Sequence, residues 1–467
     1  MEMQRLCTGM MERYEIENRR PSAVNAVQFG MGEALLATVD RRIDDYNAKS
    51  DAGDRIGIAC VQAGETGHAH RLAAQDGMYT LLVRGYADEE AVTREQVVQC
   101  ILRTVDPEAE PDALGALAAA PDIALALVDD TPAARALASR FLALRQAAGR
   151  AAVPLFYLGE PVGDWGDGAF PMLADSLAFR AEADEAARQC AEMNYLDEML
   201  HIAEPHARLT LVAPEELPRR FPLDRAPDVH FVDSTEMVSA RRLQAQVFDA
   251  GLFLMAAAGW LNGCDTLRDC MTHERLRRFV GEAFTGELLP ALSDVDRQAL
   301  ERCVIESFAR YENPLNRNRI LRCAEGLLGR FARGPLAALR RLSETNFEPP
   351  RRLSFALAAT VMLYAGARRN PETGCYEVAR GKELQVLRDD PEKLAVFAAL
   401  SHDMPPESLA YAALADRELW DGLDLRDIDG LLERVTLDLA AMQRQPGFLP
   451  TQEDAVPPSP LFKESIP

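Results

Sequence analysis

The chain has two kinds of hydrophobic pattern. In the first half, short apolar blocks occur at 23–29 (AVNAVQF), 55–61 (RIGIACV), 122–130 (DIALALVDD), 154–160 (PLFYLGE), 208–214 (RLTLVAP) and 228–234 (DVHFVDS). Their length and β-branched content predict buried strands, and the alternation in 78–86 (MYTLLVRGY) predicts one more. Helical spacing fills stretches between them, at 34–46 and 132–149. Strand alternating with helix predicts an α/β layer with a largely parallel sheet. Beyond about residue 235 the strand pattern stops. Apolar residues then recur at helical spacing through 238–261, 276–292, 296–309, 317–341, 352–367 and 392–401, which predicts an all-helical second half. The expected division is therefore an α/β domain over 1–234, a helical domain over 235–450 and a flexible tail over 451–467, where TQEDAVPPSPLFKESIP is rich in proline and polar groups. The longest apolar runs, near 251–261 and 353–367, are shorter than the ~18 residues a membrane span requires.

Charge and composition narrow the partners. Of 467 residues, 51 are Lys or Arg and 73 are Asp or Glu, a net charge of −22. Such a surface repels phosphate backbones and anionic lipid, so neither nucleic acid nor membrane is expected as a partner. A local pocket for a small anion stays open. Only Lys49, Lys382, Lys393 and Lys463 are lysines, and none falls between 50 and 381. The nine cysteines contain no CxxC pair, which suits reduced thiols and a cytoplasmic setting. The first residues, MEMQRLCTGMMERYEIENRR, carry charges where a signal peptide needs an apolar core.

Gly30-Met31-Gly32 follows a strand and opens a helix, where glycines let a backbone approach a pyrophosphate and helix-end amides bind it. The third glycine of GxGxxG is absent, Leu standing at 35, and Glu33 adds a negative charge in the first turn. The segment is either a nucleotide loop or an ordinary tight turn. Asp129 and Asp130 end a strand at the edge where open α/β sheets bind ligands, but Asp-Asp-Thr131-Pro132 also reads as helix capping, the preferred alternative. His68 and His70 suit an exposed loop better than a metal pair, and His201 and His206, near Glu204, give an equally weak metal pattern. No metal is expected. Cys264 and Cys270 read as buried thiols on an apolar helical stretch, and Glu65 as a solvated loop carboxylate.

Several blocks together resemble one family. AVQFGMGEALLATVDRRIDDYN (26–47), AAQDGMYTLLVRG (73–85), GCDTLRDCM (263–271), RYENPLNRN (310–318) and PPRRLSFALAATVMLYAG (349–366) occur in the order found in the long-chain polyol and hexuronate dehydrogenases, the mannitol dehydrogenase family, and are most similar to its hexuronate-reducing branch. The resemblance implies a Rossmann-like N-terminal domain followed by a helical C-terminal domain, with NAD and a sugar acid or polyol between them. It also implies NAD contacts from Gly30, Met31, Gly32, Asp129, Asp130 and Thr131.

The same resemblance places a catalytic lysine, an asparagine five residues on and a histidine three later on one helix. Counted back without gaps from GCDT, those positions read Gln244, Asp249 and Leu252; counted forward from HFVDS, Arg242 takes the lysine position. Gln does not exchange a proton near neutral pH, Arg is a poor acceptor, and losing general acid–base help costs roughly 10²–10⁴-fold. The histidine of the family's N-P-x-I-x-H reads Asn318, and the arginine of its glycine-loop helix reads Leu36. Two functions are therefore expected. One is an NAD-dependent oxidoreductase of keto sugar acids or polyols whose proton comes from His201, His206 or Asp249. The other is a catalytically inactive relative that binds a ligand or a partner protein. NAD affinity is expected to be weak or absent, because Glu33 and Leu36 replace phosphate-friendly groups. The assembly is expected to be a monomer or homodimer.

Overall fold

The computed structural model describes residues 3–64, 67–87, 90–159, 165–315, 319–323, 325–346 and 348–450. Glu65, Asn318 and the 451–467 tail lie outside the described residues. The chain divides into two compact units that meet between Val238 and Ser239.

The strands of the N-terminal unit are β1 (Ala26–Phe29), β2 (Ile58–Val61), β3 (Tyr79–Ala87), β4 (Glu90–Val98), β5 (Ile101–Val105), β6 (Leu125–Val128), β7 (Leu155–Tyr157), β8 (Ala169–Asp175), β9 (Ala178–Arg180), β10 (His201–Ala203), β11 (Arg208–Leu211) and β12 (Val229–Phe231). Eight of them form one sheet in the order β12-β11-β8-β7-β6-β1-β2-β5. All neighbours in it are parallel except β8 and β11. From β5 to β8 the order is that of a doubly wound dinucleotide fold, and it reverses between β1 and β6. β1, β2, β6 and β7 are buried on both faces, which explains why they read as continuous apolar blocks.

The alternating segment at 78–86 is a strand, but it belongs to a second, four-stranded sheet of order β4-β3-β10-β9. Its partner β4 escaped the sequence reading because its first six residues, EAVTRE, are mostly polar and none of them is buried. Apolar cores lie on both sides of the main sheet, one around Leu35, Leu36, Tyr79 and Phe156 and the other around Phe29, Phe141 and Trp165.

The C-terminal unit is predominantly helical, as the spacing predicts. Its central helix, Ala250–Leu261, is buried all round from Ala250 to Trp260 and packs against Arg351–Ala365, itself buried from Leu353 to Ala365. Such helices are apolar on every face because every face is covered. The expectation of no strands after 235 does not hold. Strands β13 (Arg368–Arg369), β14 (Tyr376–Arg380) and β15 (Glu383–Leu387) form a small antiparallel sheet. The β14–β15 connection is the dipeptide Gly381-Lys382, with Gly381 at φ 62°, a hairpin signal hidden by the polarity of its flanks.

Candidate functional site

The first candidate neighbourhood lies at the carboxyl ends of β1 and β6, on either side of the strand-order reversal. Gly30 leaves β1 at φ 105°, a backbone state that favours glycine, and its amide donates to Val61 O at 2.9 Å. After Gly32 the chain enters a helix whose Leu35–Val39 stretch is π-helical and runs into Asp40–Ala48. On the other side, Asp129 N donates to Phe29 O at 2.9 Å and so ties the end of β6 to that of β1.

Asp129 then turns its carboxylate into the glycine loop. Oδ2 accepts from the Gly32 amide at 3.0 Å and Oδ1 from the Asp130 amide at 2.9 Å. A Cβ on Gly30 would lie 2.6 Å from Asp129 Cβ, and one on Gly32 would collide with Oδ2. Both glycines are therefore needed for the close approach of this side chain. Burial pushes the Asp129 carboxyl up to about 6; the amides of Asp130 and Gly32 offset part of that rise, and the carboxylates of Asp130 and Glu33 add to it.

The preferred capping reading of this segment holds for one residue. Thr131 caps the helix Pro132–Ala147, its hydroxyl accepting from Ala134 N at 3.1 Å. Asp130 forms an ion pair with Arg135, and Asp129 serves the loop instead of the helix. The Met31 side chain is buried in the core with Leu35 and Leu36, leaving only its backbone to the loop.

The residues present do not fit a dinucleotide pyrophosphate while Asp129 is ionised. The fold puts the loop in the right place, but a carboxylate holds the Gly32 amide, and Glu33 and Asp130 add negative charge beside it.

The second neighbourhood lies within the C-terminal unit. Gln244–Asp249 is a π-helical stretch between Ser234–Leu243 and Ala250–Leu261. Such a wide turn displaces backbone carbonyls from helical pairing. Here the Tyr311 hydroxyl donates to Phe248 O at 2.6 Å, and its ring stacks on Phe248 at 5.3 Å. Gly251 admits that ring: a Cβ there would come 2.7 Å from Tyr311 Cζ. The Arg310 guanidinium covers the Phe248 ring at 3.6 Å. Asp249 is buried and forms an ion pair with Arg330, whose Nε also donates to Glu325 O at 3.0 Å. Leu252 is fully buried in the helical core and Gln244 is half-buried. Arg242, the alternative lysine position, is held by both oxygens of Asp294 at 2.7 and 3.0 Å.

None of these side chains is a ready proton carrier. An amide exchanges no proton, a hydrocarbon offers no hydrogen bond, and Asp249 is neutralised by a guanidinium. Asp249 and Arg330 together present no net charge. Arg330 could not be paired with Asp249 from sequence, since 81 residues separate them.

The histidines fall elsewhere. His68 and His70 lie on the helix His68–Ala73, with His68 buried against Arg180 at 3.0 Å and His70 exposed, so the expected loop is a helix. His201 Nδ1 pairs with Met199 O at 2.7 Å, and burial lowers its pKa to about 4, leaving the imidazole neutral near pH 7. His206 Nε2 sits 3.1 Å from Asp175. Among the described residues no three His, Cys, Asp or Glu side chains converge on a metal-sized site. Cys264 and Cys270 are buried, as expected, but Cys264 precedes the helix Leu267–Thr272 that carries Cys270.

Residues 247–443 match the family model of the mannitol dehydrogenase C-terminal domain. That match falls within the C-terminal unit. Across both units the chain is similar to altronate oxidoreductases: that of Klebsiella pneumoniae (strain 342) is 26% identical over 470 residues, covering 89% of this chain and 94% of the relative. That of Shigella flexneri is 27% identical over 471 residues with the same coverage. Among solved structures, Pseudomonas fluorescens mannitol 2-dehydrogenase, a ternary complex with NAD and D-mannitol, superposes with a TM-score of 0.77 at 14% identity over 95% of this chain and 98% of that one. A substrate-free D-sorbitol dehydrogenase gives 0.61 at 17% identity over 92% and 94%. The architecture of the family thus extends over both units.

Proposed function

We propose that this chain is an oxidoreductase that interconverts the hydroxyl and keto forms of a polyol or sugar acid, with NAD, the family's cofactor, bound weakly. The carrying observation is the correspondence with altronate oxidoreductases over about nine-tenths of the chain, combined with a doubly wound N-terminal sheet and a mannitol dehydrogenase C-terminal domain. In this reading Gln244, Asp249 and Leu252 occupy the lysine, asparagine and histidine positions, and Asn318 lies nearby in the motif order. Proton transfer then falls to solvent or to a side chain outside that trio, and turnover is slower by roughly 10²–10⁴-fold than with a lysine in place. The reading includes a cytoplasmic monomer or homodimer; the free thiols of Cys60, Cys100, Cys190 and Cys264 fit a reducing compartment.

The test is NADH oxidation with tagaturonate, fructuronate and fructose between pH 6 and 9. Slow turnover with at least one substrate is expected. In the Gln244→Lys variant the rate should rise by about 10²-fold, the low end of what a positioned general acid supplies.

A second reading is a binding protein without turnover. It is favoured by the absence of lysine from 50 to 381 and by the burial of Leu252, which leaves no hydrogen-bonding group at the histidine position. It predicts no rate for either protein, together with a raised melting temperature in the presence of a sugar acid.

A further inference from the structure

We propose that Asp129 decides whether the glycine loop accepts an anionic dinucleotide: its carboxylate occupies the Gly32 amide that a pyrophosphate needs, and the loop becomes receptive when that carboxylate is neutralised or removed. This inference rests on the reading of the N-terminal unit as a nicotinamide-dinucleotide domain and names the residue that tunes it.

Three observations carry it. The contact is specific: the Gly32 amide points at Oδ2 from 3.0 Å, while the second oxygen is anchored by the Asp130 amide. It is built in, since neither Gly30 nor Gly32 has room for a Cβ against this side chain. The surrounding charge is mostly negative. From the loop side the neighbouring acid is Glu33; from the helix that follows the loop it is Asp40; on its own strand end it is Asp130. Cys60 of β2 is a further titratable neighbour, its thiol pushed up by burial. The one cation in this set, Arg135, is engaged by Asp130. An incoming pyrophosphate therefore has to displace one anion and sit beside others. A neutral carboxyl keeps the shape but removes the charge competition and weakens the grip on the amide.

The carboxyl's position at about 6 puts this exchange within an accessible range. If only the neutral form yields, apparent affinity falls with the neutral fraction, about tenfold per pH unit above ~6 and roughly 100-fold by pH 8.

The probe is ADP-ribose, whose pyrophosphate keeps its charge from pH 5.5 to 8.5, measured by titration calorimetry against the full chain and against Asp129→Asn and Asp129→Ser. Melting curves verify that the variants fold. The expected result is wild-type binding that strengthens as pH falls from 8 to 5.5, with variants that bind at pH 8 at least about tenfold more tightly than wild type and show a flat profile. Wild-type affinity that is flat with pH and equal to that of the variants overturns the role of Asp129 while leaving dinucleotide binding intact. Absence of ADP-ribose binding by all three folded proteins at every pH overturns both this role and the dinucleotide reading. If one variant fails to fold, the other and the wild-type pH series still decide between these results.

Discussion

Asp40 is fully buried, with Gln28 Nε2 and the Tyr79 hydroxyl each 3.3 Å from Oδ2 and no partner for Oδ1 among the described residues. Burial raises it to about 7, the two hydrogen bonds offset part of that shift, and the carboxylates of Asp44 and Asp129 add to it. Asp44 and Asp129, each at about 6, follow the same logic. All three hold protons in the folded state that the unfolded chain releases near pH 4. Between about pH 4 and each folded value the native state binds more protons, so stability falls as pH rises, by up to about 1.4 kcal/mol per pH unit per group, and levels off above pH 7. The N-terminal unit should therefore unfold at lower denaturant concentration at pH 8 than at pH 5.5, and Asp40→Asn should flatten that dependence. An unchanged slope in the variant would exclude Asp40 as a source. Arg330 makes the opposite case. Arg330→Ala strands the largely buried Asp249 carboxylate and should cost about 2 kcal/mol in a urea melt, a figure reduced from the fully buried case because both partners retain some solvent. The double variant with Asp249→Asn should recover part of that loss.

Local elements repeat the theme that polarity and apolar pattern carry different information. The continuous blocks of β1, β2, β6 and β7 were legible because strands covered on both faces leave no polar alternation to confuse the reading. β4 was not legible, because its pairing with β3 runs over nine residues of which only the last three, Gln96, Val97 and Val98, are buried. The wide turn at Gln244–Asp249 was equally invisible. Its i→i+5 spacing has no compositional signature, and an ungapped count through it mixes two helical periods. That is one physical reason why Gln244 is half-buried while Leu252 is wholly in the core. The turn depends on Tyr311 and on the missing Cβ of Gly251. Gly251→Ala should destabilise the C-terminal unit by about 1–3 kcal/mol through overpacking against the Tyr311 ring, in spite of alanine's better helix propensity. Thermal unfolding that improves in this variant would mean that Tyr311 yields easily.

At the scale of the entire chain, legibility follows residue type. The glycine pair, the largely parallel sheet and the helical second half were all readable, because they depend on turn-forming and apolar residues; the strand order and its reversal were not. The function of Asp129 was not. Its type and place were visible, but a capping Asp and a loop-filling Asp look alike until the Gly32 amide is located. The net charge of −22 adds a long-range term. An anionic ligand approaches against the field of the molecule, so its association rate should increase as ionic strength is raised from about 0.01 to 0.15 M, the reverse of the usual steered encounter. Stopped-flow mixing with ADP-ribose reads this directly, and a rate that drops with salt would point to a local cationic entrance.

The carboxylate at the end of β6 also has a kinetic meaning. Attached to the scaffold within hydrogen-bond reach of the Gly32 amide that donates to it, it behaves like a competitor that never diffuses away, with an effective concentration in the millimolar range or above. Screens for an anionic dinucleotide run at ordinary micromolar doses and alkaline pH would thus find little binding at the glycine loop, whereas acidic buffers and high doses would reveal it.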